Sequence, residues 1–164
     1  MKYTIVERKD YKENKIKYIS LIKEMFENDD DKLANIDEIE NHLDFIFNED
    51  YENNSFLILQ VESDKLISMI NAFEYNNVNH DWCFFSLFTQ KDHRRSGYGE
   101  DMMKYALDYV RKYKCSKVIS GIESDNIASI DLHKKVGFKY ANCNWDELAD
   151  GFPKNHLGFI YNLW

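Results

Sequence analysis

The chain has 164 residues, 44% of them apolar and 30% charged, with a formal net charge of −8. That length suits one α/β-sized domain over residues 1–164 with one sizeable core, and no linker divides it. An aromatic content of 15% argues against global disorder, and a surface this acidic does not suit general nucleic-acid binding. The acidity mildly favours a cationic partner, although solubility alone explains it as well.

The N-terminal MKYTIVERKD lacks the apolar run of a secretory signal, and no later segment is long enough to span a bilayer. A cytoplasmic chain with no membrane partner is expected. Cys83, Cys115 and Cys143 are scattered, with no C-x-x-C spacing. Three such thiols fit a reducing compartment and a structural role, with no zinc site and no other metal.

In chain order, an N-terminal strand leads to a helix over Glu13 to Glu27, with Ile16, Ile19, Ile22 and Phe26 on one face. The tract Asn28 to Asp31 is a charged loop. Asp37 to Asn48 is a second helix, since Ile39, Leu43, Ile46 and Phe47 recur at helical spacing. Phe56 to Val61 and Leu66 to Phe73 are strands joined by a hairpin at Glu62 to Lys65. Trp82 to Phe88 is a third strand, apolar enough to be covered on both faces. A helix over Glu100 to Lys112 follows, with Met103, Ala106, Leu107 and Val110 buried. Val118 to Ile122 is the next strand. Ser124-Asp125 can cap a helix from Asn126 to Val136, which Gly137 ends. Two extended segments occupy Lys139 to Trp164, separated by Asp150 to Pro153. The order predicts an α/β sandwich around a mixed sheet, with a ligand at strand C-terminal ends within residues 84–138.

Gly97 and Gly99 stand between an apolar strand and an amphipathic helix. Without side chains they allow a tight turn whose N–H groups, from Arg95 to Glu100, point outward at a helix N-terminus. Such a turn binds pyrophosphate through amide donors and the helix dipole. Lys91, His93, Arg94 and Arg95 concentrate positive charge there. A dinucleotide fingerprint would need a third glycine where Met102 stands, and no G-K-[ST] of a nucleoside-triphosphate loop occurs. The competing interpretation is a glycine turn that only joins strand to helix.

On a helix, Asn126, Ser129 and His133 share one face, beside an apolar stripe of Ala128, Leu132 and Val136. Such a polar stripe can line a ligand groove or merely face solvent. Taken together, the two motifs resemble the GNAT superfamily of N-acetyltransferases. Arg94, Gly97 and Gly99 match its [Q/R]-x-x-G-x-[G/A] signature. Asn126, Ser129, Gly137 and Phe138 match its N-x-x-[AS]-…-G-F pattern about thirty residues later. The segment SIDLHKKVGF looks most like the phosphinothricin-acetyltransferase-like branch.

The resemblance implies a GNAT-like, mixed and mostly antiparallel central sheet with splayed strands, flanked by helices. It implies acetyl-CoA as acetyl donor, with no metal, and a small-molecule or peptide amine as acceptor; a homodimer is left open. The pantetheine arm would enter between splayed strands, one ending near Phe88-Thr89 and the next beginning near Val118. Main-chain groups of Leu87, Phe88 and Thr89 would bind it like an added strand. Amides from Arg94, Arg95, Ser96, Gly97, Tyr98, Gly99 and Glu100 would hold the pyrophosphate. Asn126 and Ser129 would face the cofactor arm, and His133 would lie near the thioester sulfur.

Related enzymes often carry a glutamate base on the strand before the turn, but WCFFSLF contains no carboxylate. Asp81, Glu74 and Glu123 are the candidate replacements. His133 occupies the family's acid position, and a free imidazole titrates near neutrality. The expected chemistry is direct attack of a neutral amine on the thioester, with no covalent enzyme intermediate. The rivals are an acetyl-CoA-binding sensor or inactive relative, and a purely structural domain.

Overall fold

The structure, a computed structural model, describes residues 2–27, 36–48, 53–76, 80–144 and 156–164. The elements run β1 (Lys2–Glu7), α1 (Arg8–Glu27), α2 (Ile36–Ile46), β2 (Ser55–Glu62), β3 (Lys65–Asn76), β4 (Asp81–Thr89), α3 (Tyr98–Val110), β5 (Lys117–Glu123), α4 (Ile127–Val136), β6 (Lys139–Asn144) and β7 (His156–Asn162). Short 3₁₀ turns at Lys91–His93 and Arg111–Tyr113 flank α3. The strands form one sheet in the order β1-β2-β3-β4-β5-β7-β6. Every neighbouring pair is antiparallel except β4 and β5, which are parallel.

The run Phe56-Leu57-Ile58-Leu59 offers no polar face to water, so both faces of its strand must be covered. Phe56 and Ile58 pack on one side with Met102, Met103 and Ala106 of α3. Leu57 and Leu59 pack on the other with Ile22 of α1 and Leu43 of α2. The sheet therefore separates two cores, one under α3 and α4 and one under α1 and α2. Ser63 (φ 49°) and Asp64 (φ 64°) make the two-residue turn between β2 and β3 where the hairpin was expected.

The first helix begins earlier than its aliphatic spacing suggests, at Arg8 rather than Glu13. Asn14 leaves helical geometry (φ −131°, ψ 24°), and its side-chain amide donates to the Asp10 carbonyl at 3.2 Å, in competition with the backbone ladder. The buried face consists of Tyr11, Tyr18, Ile22 and Met25. Ile16, expected in that stripe, is 82% exposed. The tyrosines take its place because their rings bury apolar area while a hydroxyl finds a partner; that of Tyr11 donates to Asp44 of α2 at 2.8 Å.

Leu43, Ile46 and Phe47 of the second helical segment are buried as expected. In α3 the stripe Met103, Ala106, Leu107 and Val110 is buried, joined by Met102. The tail supplies β6 and β7 as two extended segments; Asp150 to Pro153 lies outside the described residues. In α4 the cap is Asn126 itself, whose side-chain oxygen accepts the Ser129 amide at 3.1 Å, and not Ser124 or Asp125. Gly137 ends the helix in left-handed geometry (φ 115°). β4 departs from expectation in its second half: Trp82, Cys83 and Phe84 are buried, but Ser86 is exposed.

Two substitutions test this arrangement. Ile58→Ala, at a fully buried position of β2, should cost about 2–5 kcal/mol in denaturant unfolding. Ile16→Ala should stay within about 0.5 kcal/mol. A comparable cost at both positions would mean that α1 is rotated from the face described.

Candidate active site

β4 and β5 pair through only three residue couples: Trp82 with Val118, Cys83 with Ile119, and Phe84 with Ser120. Past Phe84 the strands part. One cause lies in β4, which carries an extra residue between the couples Asn71–Phe85 and Met69–Phe88. Ser86 takes left-handed geometry there (φ 50°), the signature of a bulge that bends its strand. β5 meanwhile stays paired with β7 along its whole length, from Lys117 to Glu123. The edge of β4 that faced β5 is thus left without a strand partner beyond the fork.

A cavity of about 560 Å³ fills the opening. Its walls are residues 84–88 of β4, residues 120–123 of β5, Ser129 and His133 of α4 with Asn126 at its cap, and Phe26 and His42 from α1 and α2. The space therefore reaches from one helical layer through the sheet to the other.

Beyond the end of β4, the turn before α3 is shaped for an anion. Arg95 (φ 62°) and Gly97 (φ 92°) are both left-handed around Ser96, a conformation that turns successive N–H groups to one side. The first helical bond in the segment runs from Asp101 N–H to the Gly97 carbonyl at 3.0 Å. The amides of Tyr98, Gly99 and Glu100 thus precede the ladder, and no side chain caps them. A Cβ on Gly97 would meet nothing within 4 Å, so the turn faces open space. A Cβ on Gly99 would lie 3.2 Å from Leu132 and 3.4 Å from Thr89, which places the helix N-terminus between β4 and α4. Arg94 donates to the Thr89 carbonyl at 2.9 Å and lies over the Phe88 ring. Glu100 forms ion pairs with Lys104 at 2.7 Å and Lys135 at 2.6 Å. These hydrogen bonds, Lys104 first, pull its carboxyl down to about 2. Its negative charge is matched by two lysines, and its contribution to an anion site is its amide.

His133 is buried at the fork. Its Nδ1–H donates to the Ser129 carbonyl at 2.8 Å, which leaves Nε2 as an acceptor 2.9 Å from the Ser120 hydroxyl. Ser120 Oγ is in turn 3.1 Å from the Phe84 carbonyl, at the last couple before the strands part. Burial outweighs the bond to Ser129 and pushes the imidazole down to about 4. Desolvation thus favours the neutral ring, below the ordinary imidazole range on which the expected proton exchange rests. The expected apolar stripe also shifts, because Ile130 and His133 are the buried residues of α4 while Ala128 is exposed.

The candidate bases are not brought together. Glu123 lines the cavity from the end of β5. Asp81 and Glu74 lie at the opposite, closed end of β4. Asp81 is buried there, accepting from Ser116 at 2.6 Å and lying 3.7 Å from Lys117. Glu74 pairs with His80 and accepts from Asn54 at 2.6 Å. Burial pushes the Cys83 thiol up and that of Cys115 to about 11, so neither supplies a thiolate. Among the described residues, no three His, Cys, Asp or Glu side chains are grouped to hold a metal ion, and no helix is long and apolar enough to cross a membrane. Polar lining residues that escape sequence reasoning include His42, Asn71, Ser86, Ser120 and His156. His42 sits in a helix read only for its apolar spacing, and the bulge that brings Ser86 to it has no sequence signal.

A sheet split between its two parallel strands, with an anion-shaped helix terminus at the mouth, defines a protein built to take a long, phosphate-bearing ligand edgewise. The chain belongs to the acetyltransferase (GNAT) family, whose model matches residues 19–138. The family uses acetyl-CoA as its acetyl donor, and the chain is an acetyltransferase of that class. No curated protein matches the sequence. Among solved structures, a ribosomal-protein-alanine N-acetyltransferase from Brucella melitensis shares the fold at 16% identity, with a TM-score of 0.65, over 99% of this chain and 100% of that one. An aminoglycoside 6′-N-acetyltransferase complexed with coenzyme A does so at 15% identity and a TM-score of 0.69, over 100% and 98%. A spermidine N-acetyltransferase chimera from Vibrio cholerae and hSSAT aligns at 19% identity and a TM-score of 0.63, over 99% and 96%.

The depressed ring of His133 predicts a measurable pH dependence. The unfolded chain binds a proton near 6.5 that the folded chain refuses until about pH 4. Stability should therefore fall as pH drops through that window, by about 3 kcal/mol in all. Denaturant unfolding of the wild type against His133→Gln at pH 7 and pH 4.5 should show the difference between the two proteins shrinking at the lower pH. A constant difference would place the depressed titration elsewhere.

Proposed function

We propose that the chain transfers the acetyl group of acetyl-CoA to a primary amine by direct attack in a ternary complex. The observation that carries this is the continuity from the anion-shaped turn at residues 95–100, along the unpaired edge of β4, into a cavity that crosses the sheet. The pyrophosphate would sit on the amides of Arg95 to Glu100, with Arg94 tied to the end of β4 beside it. Main-chain groups of Leu87, Phe88 and Thr89 would bind the pantetheine arm as an added strand. Asn126 and Ser129 would border that arm. Phosphates suit the site because unpaired amides and a helix N-terminus favour negative charge.

His133 is assigned to orientation. As a neutral ring it accepts from the Ser120 hydroxyl and so orients it at the fork, where the thioester would arrive. Glu123 is the one carboxylate among the described lining residues. The chain's acidity is therefore not concentrated in the described walls, which weakens the case for a strongly cationic acceptor. Neighbours of the same fold act on a ribosomal protein, an aminoglycoside and spermidine. Together with the likeness to the phosphinothricin-acetyltransferase-like branch, they support an amine acceptor, small or peptidic.

The test is free thiol release from acetyl-CoA with spermidine, kanamycin, benzylamine and an alanine-terminated peptide. Amine-dependent release supports the reading, and binding of acetyl-CoA with no release for any amine favours a sensor. Gly97→Glu should weaken acetyl-CoA binding by about 10²-fold or more in calorimetry, since it sets a carboxylate where phosphates approach. Unchanged affinity would remove the phosphate assignment.

A further inference from the structure

Resting on the acetyl-transfer reading, we infer that His42 of α2 takes the proton of the attacking amine, and that Asn71 and Ser86 complete the amine subsite around it. The three residues come from separate elements and converge on the cavity wall opposite α4. His42 Nε2 lies 3.4 Å from Asn71 Nδ2 and 3.4 Å from Ser86 Oγ. Both contacts are long for hydrogen bonds, so an N–H of an incoming amine can displace them from the nitrogen lone pair. Asn71 is fully buried, and its Oδ1 has no hydrogen-bond partner among the described residues. A buried carbonyl oxygen left so is costly unless a ligand or water uses it. A primary amine donates one N–H to Nε2, and a turn of the Asn71 side-chain amide toward the cavity would let Oδ1 accept the second.

Position favours the same assignment. Ser86 is the left-handed residue of the β4 bulge, so His42 meets β4 next to the fork. His133 meets the same strand through Ser120 and the Phe84 carbonyl, two residues earlier. One histidine thus stands in each helical layer, α2 on one side of the sheet and α4 on the other. The phosphate-shaped turn lies on the α3–α4 side, which leaves the α1–α2 side for the acceptor.

The step balances without further groups. The neutral nitrogen forms the C–N bond as the carbonyl π pair moves to oxygen, and its proton passes to His42 Nε2. The carbonyl reforms as the C–S bond breaks and its electron pair leaves on sulfur. The thiolate takes a proton from water and His42 returns one, giving amide and free thiol. Burial lowers the His42 imidazole from its ordinary value, which keeps it unprotonated and ready at neutral pH. The groups that share the cavity with it from α1, β3 and β4 include Ile22, Phe26, Asn71 and Phe85, none charged. On α2 itself Asp44 is held by Lys15 at 2.7 Å, as is Glu40 at 2.8 Å. The other titratable lining groups are Glu123 and His156 on the strands and His133 on α4.

The experiment compares wild type with His42→Gln, using spermidine, kanamycin and benzylamine as acceptors, with acetyl-CoA affinity measured by calorimetry as the folding control. His42→Gln should lower kcat about 10²-fold while acetyl-CoA affinity stays within about twofold. The acidic limb of the wild-type pH–rate profile, below about 6.5, should vanish in the variant. Retained kcat, or an unchanged limb, overturns the assignment and moves the base to Glu123. A second arm needs no turnover. Histidine ring resonances of the coenzyme A complex are followed as each amine is added, with His42 identified by its loss in His42→Gln. Displacement of the His42 signal by at least one amine supports the subsite, and silence with all three overturns it. Failure of wild-type turnover with a displaced His42 signal would refute acetyl transfer but keep the subsite.

Discussion

Three residue couples hold β4 to β5, and the rest of the molecule depends on there being no more than three. Backbone N–H and C=O groups in a sheet interior ordinarily find partners across each ladder, and an edge left open inside a protein invites another strand. Here the bulge at Ser86 bends β4 away while β7 claims β5 along its other edge. The Ser120 hydroxyl and His133 sit at the point where the ladder stops. The opening is therefore fixed at both arms and at the apex, and a ligand with amide groups along its length can complete the ladder. Burial of His133 is consistent with this role, since a neutral ring can hold Ser120 without bringing a charge into the core.

Charge is distributed around the same opening. The chain carries a net −8, yet Lys91, His93, Arg94 and Arg95 cluster at the turn before α3. Glu100, which shares the first turn of that helix with Asp101, is offset by Lys104 and by Lys135 from α4. The second lysine also ties α3 to α4, so the charge balance and the spacing of the two helices around the turn come from one contact. Anion attraction there rests on the helix terminus and its amides, which are short-range, and less on net charge, which points the other way.

Much of the fold was legible because its signals are local. The apolar runs at Phe56 to Val61 and Leu66 to Phe73, with their short link, read as a hairpin, and the Met103, Ala106, Leu107, Val110 stripe fixed the buried side of α3. The glycine turn was legible because left-handed geometry at Gly97 follows from its lack of a side chain. What failed depended on competition between distant groups. Ile16 lost the core face to tyrosines whose hydroxyls reach α2, and Asn126 became a cap because its side chain found the Ser129 amide. The candidate site could be read in sequence at the turn before α3 and along α4, where motifs are contiguous, and not along the wall formed by α2 and β3. His42, Asn71 and Ser86 lie far apart in sequence and meet only because a one-residue bulge shifts β4. The lowered titration of His133 was not legible for a related reason, since burial is a tertiary property.

The central claim is that acetyl-CoA occupies the β4–β5 fork with its phosphates on the turn at residues 95–100. Backbone amide resonances recorded with and without coenzyme A test it most directly. The account predicts the largest shifts at Arg95 to Glu100, with a second set along Phe85 to Thr89 and around Asn126 and Ser129, and little change in β1 or α1. Perturbations confined to the α1–α2 layer, with residues 95–100 unmoved, would contradict it.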